Sequence, residues 1–76
     1  MTSHALGRAL REARHEAGLQ QTETVTQVGK SQSWLSKVEC GDHALLTSDL
    51  ARLATTYGTT VQAIWTSAEQ METKDG

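Results

Sequence analysis

The sequence predicts an all-α fold, a compact bundle of five short helices. Three observations carry that reading. Apolar residues recur every three or four positions, and glycines at 18, 29, 41 and 58 cut the chain into helix-sized pieces. No stretch alternates as a half-buried strand does. The only β-branched cluster, Thr55-Thr56-Tyr57-Gly58-Thr59-Thr60-Val61, is split by a glycine and lacks steady alternation.

The first helix is expected from Ser3 to Ala17, capped by Ser3, with Leu6, Leu10, Ala13 and Ala17 on its inner stripe. Gly18 suits the left-handed position beyond its end. The second spans 21–28, with Val25, Val28 and the neighbouring Thr24 inward, and stops at Gly29. Ser31 caps a third over 32–40, whose inner residues are Leu35 and Val38. Thr47 caps a fourth from Ser48 to Tyr57, burying Leu50, Leu53 and Ala54. Thr60 caps a fifth that starts at Val61 and carries Ile64 and Trp65. Residues 1–67 form the domain, and 68–76 read as a polar, acidic tail or an extension of the fifth helix.

Composition narrows the class. Seventy-six residues make one domain with a thin core. Leu, Ile and Val number only 13, yet the net charge of −2 is too small for self-repulsion to keep the chain open. No apolar run exceeds three residues, which leaves no membrane span or signal peptide in the sequence. A single cysteine, Cys40, excludes an internal disulfide, fits a reducing cytoplasm, and reads as a small apolar side chain in preference to a disulfide between two chains. Charges balance up to Trp65, so the acidity comes from Glu69, Glu72 and Asp75 against Lys74. General polyanion binding is therefore not expected.

The link between the second and third helices is the informative feature. Only Gly29 and Lys30 separate the end of one from the cap of the next. So short a link holds two helices at a steep angle, the helix-turn-helix arrangement. Gly29 supplies the positive φ such a turn needs.

The stretches LREARHEAGLQQ, TVTQVGKSQSWLSKVECG and LARLATTYGTTVQAIW, in register from Leu6 to Trp65, resemble the Cro and phage-repressor type (XRE-like) of helix-turn-helix domain. That resemblance implies a five-helix DNA-binding domain. It places Gln21 on a DNA phosphate, Gln32 and Ser33 on base edges, Lys37 one turn later also on DNA, and Arg14 in a structural ion pair with Glu39. Several residues depart from the family pattern. Val25 stands where a small residue is usual, Thr24 replaces a common Leu, Gln20 replaces a Ser or Asn cap, and Asp42-His43-Ala44 forms a loop that is often basic.

Gln32, Ser33, Ser36 and Lys37 share one helix face, opposite Leu35 and Val38. A Gln amide offers donor and acceptor together, as adenine N6 and N7 require, and Lys37 can donate to guanine or to phosphate. Four polar residues on a surface helix ordinarily mean only solvation. The tight turn and the family register favour base reading. Gln21, Lys30 and Ser31 are the candidate phosphate contacts, along with backbone N–H groups near Thr22 and Ser48. Trp34 reads as packing at the domain edge.

His4, His15, His43 and Cys40 lack metal-ligand spacing, and nothing orders Ser, His and Asp into a triad, so no metal, cofactor or enzyme activity is expected. One recognition helix covers few base pairs. A homodimer on a pseudo-palindrome is expected, through Leu45, Leu46, Ile64, Trp65 and Met71. The sequence thus points to a cytoplasmic, nucleoid-associated DNA-binding regulator, more in keeping with a repressor than an activator. A protein-interaction module that keeps the fold, binding a protein partner with little or no DNA affinity, is the competing reading.

Overall fold

The computed structural model describes residues 3–75, with side chains from His4 to Met71. The expected capping by Ser3 and the side-chain charges of Glu72, Lys74 and Asp75 lie outside the described residues. Five helices follow one another: α1 (Ser3–Glu16), α2 (Gln21–Val28), α3 (Gln32–Cys40), α4 (Thr47–Thr56) and α5 (Val61–Asp75). Among the described residues there is no strand, and no helix is long and apolar enough to cross a membrane.

Local chemistry explains most boundaries. Ser31 Oγ accepts from the Trp34 N–H (3.1 Å), and Thr60 Oγ1 accepts from the Ala63 N–H (3.0 Å), so α3 and α5 start at side-chain caps. At the start of α2, Gln20 is a poor cap, but the Glu23 carboxylate accepts from the Gln20 backbone N–H (3.0 Å). That contact belongs to a capping box between Gln20 and Glu23, which offsets the weak residue. Helix α4 begins one residue earlier than expected. Its cap position is Leu46, with no side-chain hydrogen bond, and Thr47 is already helical.

The core gathers the inner faces of all five helices around Leu10, Leu35, Leu53 and Ile64, which are fully enclosed. Helix α5 lies along α1 and brings Ile64, Ala68 and Met71 inward. The stripe expected on α1 is displaced: Ala5, Ala9 and Leu10 are buried, Leu6 and Ala13 are half-buried, and Ala17 is exposed. Ala17 falls outside because α1 ends at Glu16.

Helices α1 and α3 cross at Gly7. A Cβ built there would lie 2.5 Å from the Val38 carbonyl oxygen and 2.6 Å from that of Glu39. Glycine at this position lets α3 approach the backbone of α1, which fixes the seat of α3 in the bundle.

Candidate nucleic-acid interface

The turn after α2 closes as a left-handed cap. Gly29 has φ +72°, and the N–H groups of Gly29 and Lys30 both donate to the Val25 carbonyl (2.9 and 3.1 Å). The chain then passes through Lys30 and the capping Ser31 straight into α3. With Leu35 and Val38 buried, the opposite side of α3 must face outward. Gln32, Ser33, Ser36 and Lys37 are all exposed there. The four predicted base-reading residues therefore share one solvent-facing surface.

A buried ion pair anchors that helix from behind. Arg14 Nε donates to Glu39 Oε2 (2.7 Å) and Arg14 Nη2 to Glu39 Oε1 (3.1 Å), the two-pronged geometry of a guanidinium on a carboxylate. Arg14 Nη1 also donates to the Leu19 carbonyl (3.0 Å), tying in the α1–α2 loop. Both side chains are almost wholly buried, and the hydrogen bond to Glu39 raises the Arg14 pKa above its ordinary value. The pair joins α1 to the end of α3, in the place expected for it.

Around the pair lies a set of polar contacts that sequence reasoning missed. Gln21 Nε2 donates to Glu39 Oε1 (3.0 Å), and Gln32 Nε2 donates to Gln21 Oε1 (3.4 Å). Thr24, fully enclosed, sends its hydroxyl to the Gln20 carbonyl (3.1 Å). Burial pushes the Tyr57 phenol up to about 12, opposed by the neighbouring Thr24 hydroxyl, so the ring stays neutral at any physiological pH.

The predicted phosphate contacts are differently placed. Gln21 is half-buried, with its amide engaged as above. Ser31 is exposed, and its oxygen caps α3 while its hydroxyl hydrogen remains available to donate. Lys30 sits 3.8 Å from Asp49 Oδ1 and 5.4 Å from the centroid of the Trp34 ring. Trp34 is half-buried and meets His43 edge-on at 6.5 Å. This cluster holds the turn to the start of α4. The signal for it was Asp49, whose charge in the first turn of a helix suits the dipole.

The helix-turn-helix domain family matches residues 5–64. The chain belongs to this family. It is similar to the clp gene regulator ClgR from Corynebacterium glutamicum, at 27% identity and a TM-score of 0.89, over 93% of this chain and 92% of that one. It is also similar to the restriction–modification controller protein C.AhdI from Aeromonas hydrophila, at 26% identity and a TM-score of 0.77, over 82% of this chain and 94% of that one. No curated protein matches it.

Within this helix-turn-helix domain, the expected dimer surface needs correction. Ile64 and Met71 are 2% and 8% exposed and belong to the core, where α5 packs on α1. Leu45 is half-buried against the same core. Leu46 and Trp65, 67% and 41% exposed, are the members left at the surface. Cys40, read from sequence as a packing residue, is exposed at the end of α3. Among the described residues, no group of His, Cys, Asp or Glu is placed to hold a metal ion.

Proposed function

We propose that this protein is a sequence-specific, double-stranded-DNA-binding transcriptional regulator of the cytoplasm, acting at the nucleoid. It represses by occupying a pseudo-palindromic operator as a homodimer. The observation that carries the reading is the outward face of α3. Gln32, Ser33, Ser36 and Lys37 stand together on a helix whose other side is locked into the core, behind a two-residue turn. Such a helix fits the major groove, and its side chains carry the donors and acceptors that base edges match. The similarity to a clp gene regulator and to a restriction–modification controller supports the same reading.

Ser31, Lys30 and the helix starts supply the phosphate contacts that set register. Leu46 and Trp65 supply apolar surface for the second copy, which places two α3 helices about 34 Å apart in successive grooves.

Selection from a random duplex library tests the proposal, with wild type beside a Gln32→Ala, Lys37→Ala double variant. Enrichment of a pseudo-palindrome by wild type alone is expected, and its half-site spacing reports the dimer. A folded protein that enriches nothing at low salt overturns the reading. It would favour the protein-interaction module, which the neutral charge balance up to Trp65 fits.

A further inference from the structure

We propose that Asp49 rivals DNA phosphate for the Lys30 ammonium. It thereby lowers affinity on every sequence alike and leaves the base contacts of α3 to decide where the protein stays. The inference rests on the DNA-reading function proposed above. It starts from a contrast between two ion pairs. Arg14 and Glu39 meet at 2.7 Å in the interior, through hydrogen bonds. Lys30 Nζ stands 3.8 Å from Asp49 Oδ1, beyond hydrogen-bonding distance, and its side chain is 36% exposed. This second pair is loose.

Its two members differ in freedom. Asp49 lies in the first turn of α4, where the helix dipole favours a negative charge, and its side chain is only 12% exposed. Leu46, at the cap position, makes no side-chain hydrogen bond, so the Asp49 carboxylate balances that helix start. Lys30 carries its charge on a flexible stem in the two-residue turn, with the Trp34 ring centroid 5.4 Å away. Lys30 can swing while Asp49 stays.

An oxyanion at a helix start beside a lysine is also what a bound DNA phosphate would form there. Asp49 stands in for it in the free protein. A phosphate oxygen gives Lys30 the short, charge-assisted hydrogen bond that Asp49 does not, so the ammonium crosses over on binding. The crossing leaves a carboxylate without its cation beside the incoming phosphates. That cost falls on every duplex, because phosphate contacts carry no sequence.

Fluorescence anisotropy at several salt concentrations tests the exchange, on the selected operator and on a random duplex. Wild type is compared with Asp49→Asn, Asp49→Ser, Lys30→Ala and the double variant Lys30→Ala, Asp49→Asn. Glu16→Gln, which removes one exposed carboxylate from the end of α1, is the control for net charge alone. Circular dichroism melts identify which variants are folded, and either Asp49 variant alone suffices.

Both Asp49 variants are expected to tighten operator and random duplex by the same factor, about three- to fivefold, the size of one partly exposed ion pair. Glu16→Gln is expected to give less than half of that gain. Lys30→Ala is expected to lower the slope of log affinity against log salt by about 0.9, whereas Asp49→Asn keeps the wild-type slope because no contact is added. In the Lys30→Ala background, the gain from Asp49→Asn is expected to fall to that of the control.

Weaker binding by both Asp49 variants would overturn the inference and make Asp49 a residue that places Lys30 for DNA. A gain kept in full without Lys30 would reduce the effect to net charge. A slope that rises by about 0.9 in Asp49→Asn, with Lys30→Ala at the wild-type slope, would show that Lys30 never leaves Asp49 in the wild-type complex. If wild type binds neither duplex at low salt, the DNA reading itself fails, and this inference fails with it.

Discussion

Replacing Gly7 by alanine is the sharpest single test of how α3 is seated. In an ordinary helix interior, Gly→Ala stabilises by about 1 kcal/mol because alanine has less backbone freedom to lose. Here the new Cβ meets the Val38 oxygen at 2.5 Å, the Glu39 oxygen at 2.6 Å and the Glu39 carbonyl carbon at 2.9 Å. All three are backbone atoms, so no side chain can rotate out of the way. Ordinary contact starts at 3.4 Å, and real Cβ contacts essentially never fall under 3.0 Å, so α1 and α3 must part by roughly 0.5–0.9 Å.

Overpacking of this kind costs about 1–3 kcal/mol, and rigid backbone on both sides places it at or beyond the upper end. Net of the helix preference, the variant is expected to lose about 2 kcal/mol, a large share of a small domain's stability. For a chain of this size that lowers the melting temperature by roughly 8–16 °C. Urea titration followed by circular dichroism measures the loss directly. A Gly7→Ala protein as stable as wild type, or more stable, would show that the helices do not cross this closely. The account of how α3 is placed would then be wrong.

The other predictions concern charge and burial. Glu39→Ala strands the Arg14 charge in the interior and is expected to cost roughly 3–5 kcal/mol in a thermal or urea melt, whereas Arg14→Met with Glu39→Leu recovers most of that loss. Tyr57, raised to about 12 by burial, keeps its proton in the folded state after the unfolded chain has lost it near 10, so its contribution holds below pH 10 and fades as pH rises toward 12. Tyr57→Phe should therefore change stability little at pH 7 and flatten that alkaline decline in pH-dependent melts. Lys30→Ala should reduce the slope of log affinity against log salt by about 0.9 if the ammonium meets a phosphate, and leave it unchanged if Asp49 alone holds it.

How much of this the chain announces depends on whether a feature is local. The α2 and α3 boundaries were legible because a glycine, a serine cap and a two-residue spacing lie next to one another. The outward face of α3 was legible because Leu35 and Val38 define its back. Gly7 was not, since a lone glycine inside a helix says nothing until another backbone is seen against it. The α1 stripe slipped for a related reason. Alanines at 5 and 9 give a weak periodic signal, yet their small size suits the inner side of this crowded helix. Met71 and Ile64 looked like surplus apolar surface because the reach of α5 along α1 could not be read from a polar C-terminal segment.

The same distinction explains the polar residues. Gln21 and Glu39 are eighteen positions apart and meet only because α2 and α3 share the turn at Gly29. A reading by position alone gives Gln21 one role, that of a helix-start side chain facing phosphate. In the fold, its half-buried amide is bonded to Glu39 on one side and Gln32 on the other. The buried pair of Arg14 and Glu39 joins the same set of contacts: Glu39 takes two hydrogen bonds from Arg14 and a third from Gln21, so α1, α2 and the end of α3 are held together through one carboxylate as well as through the turn.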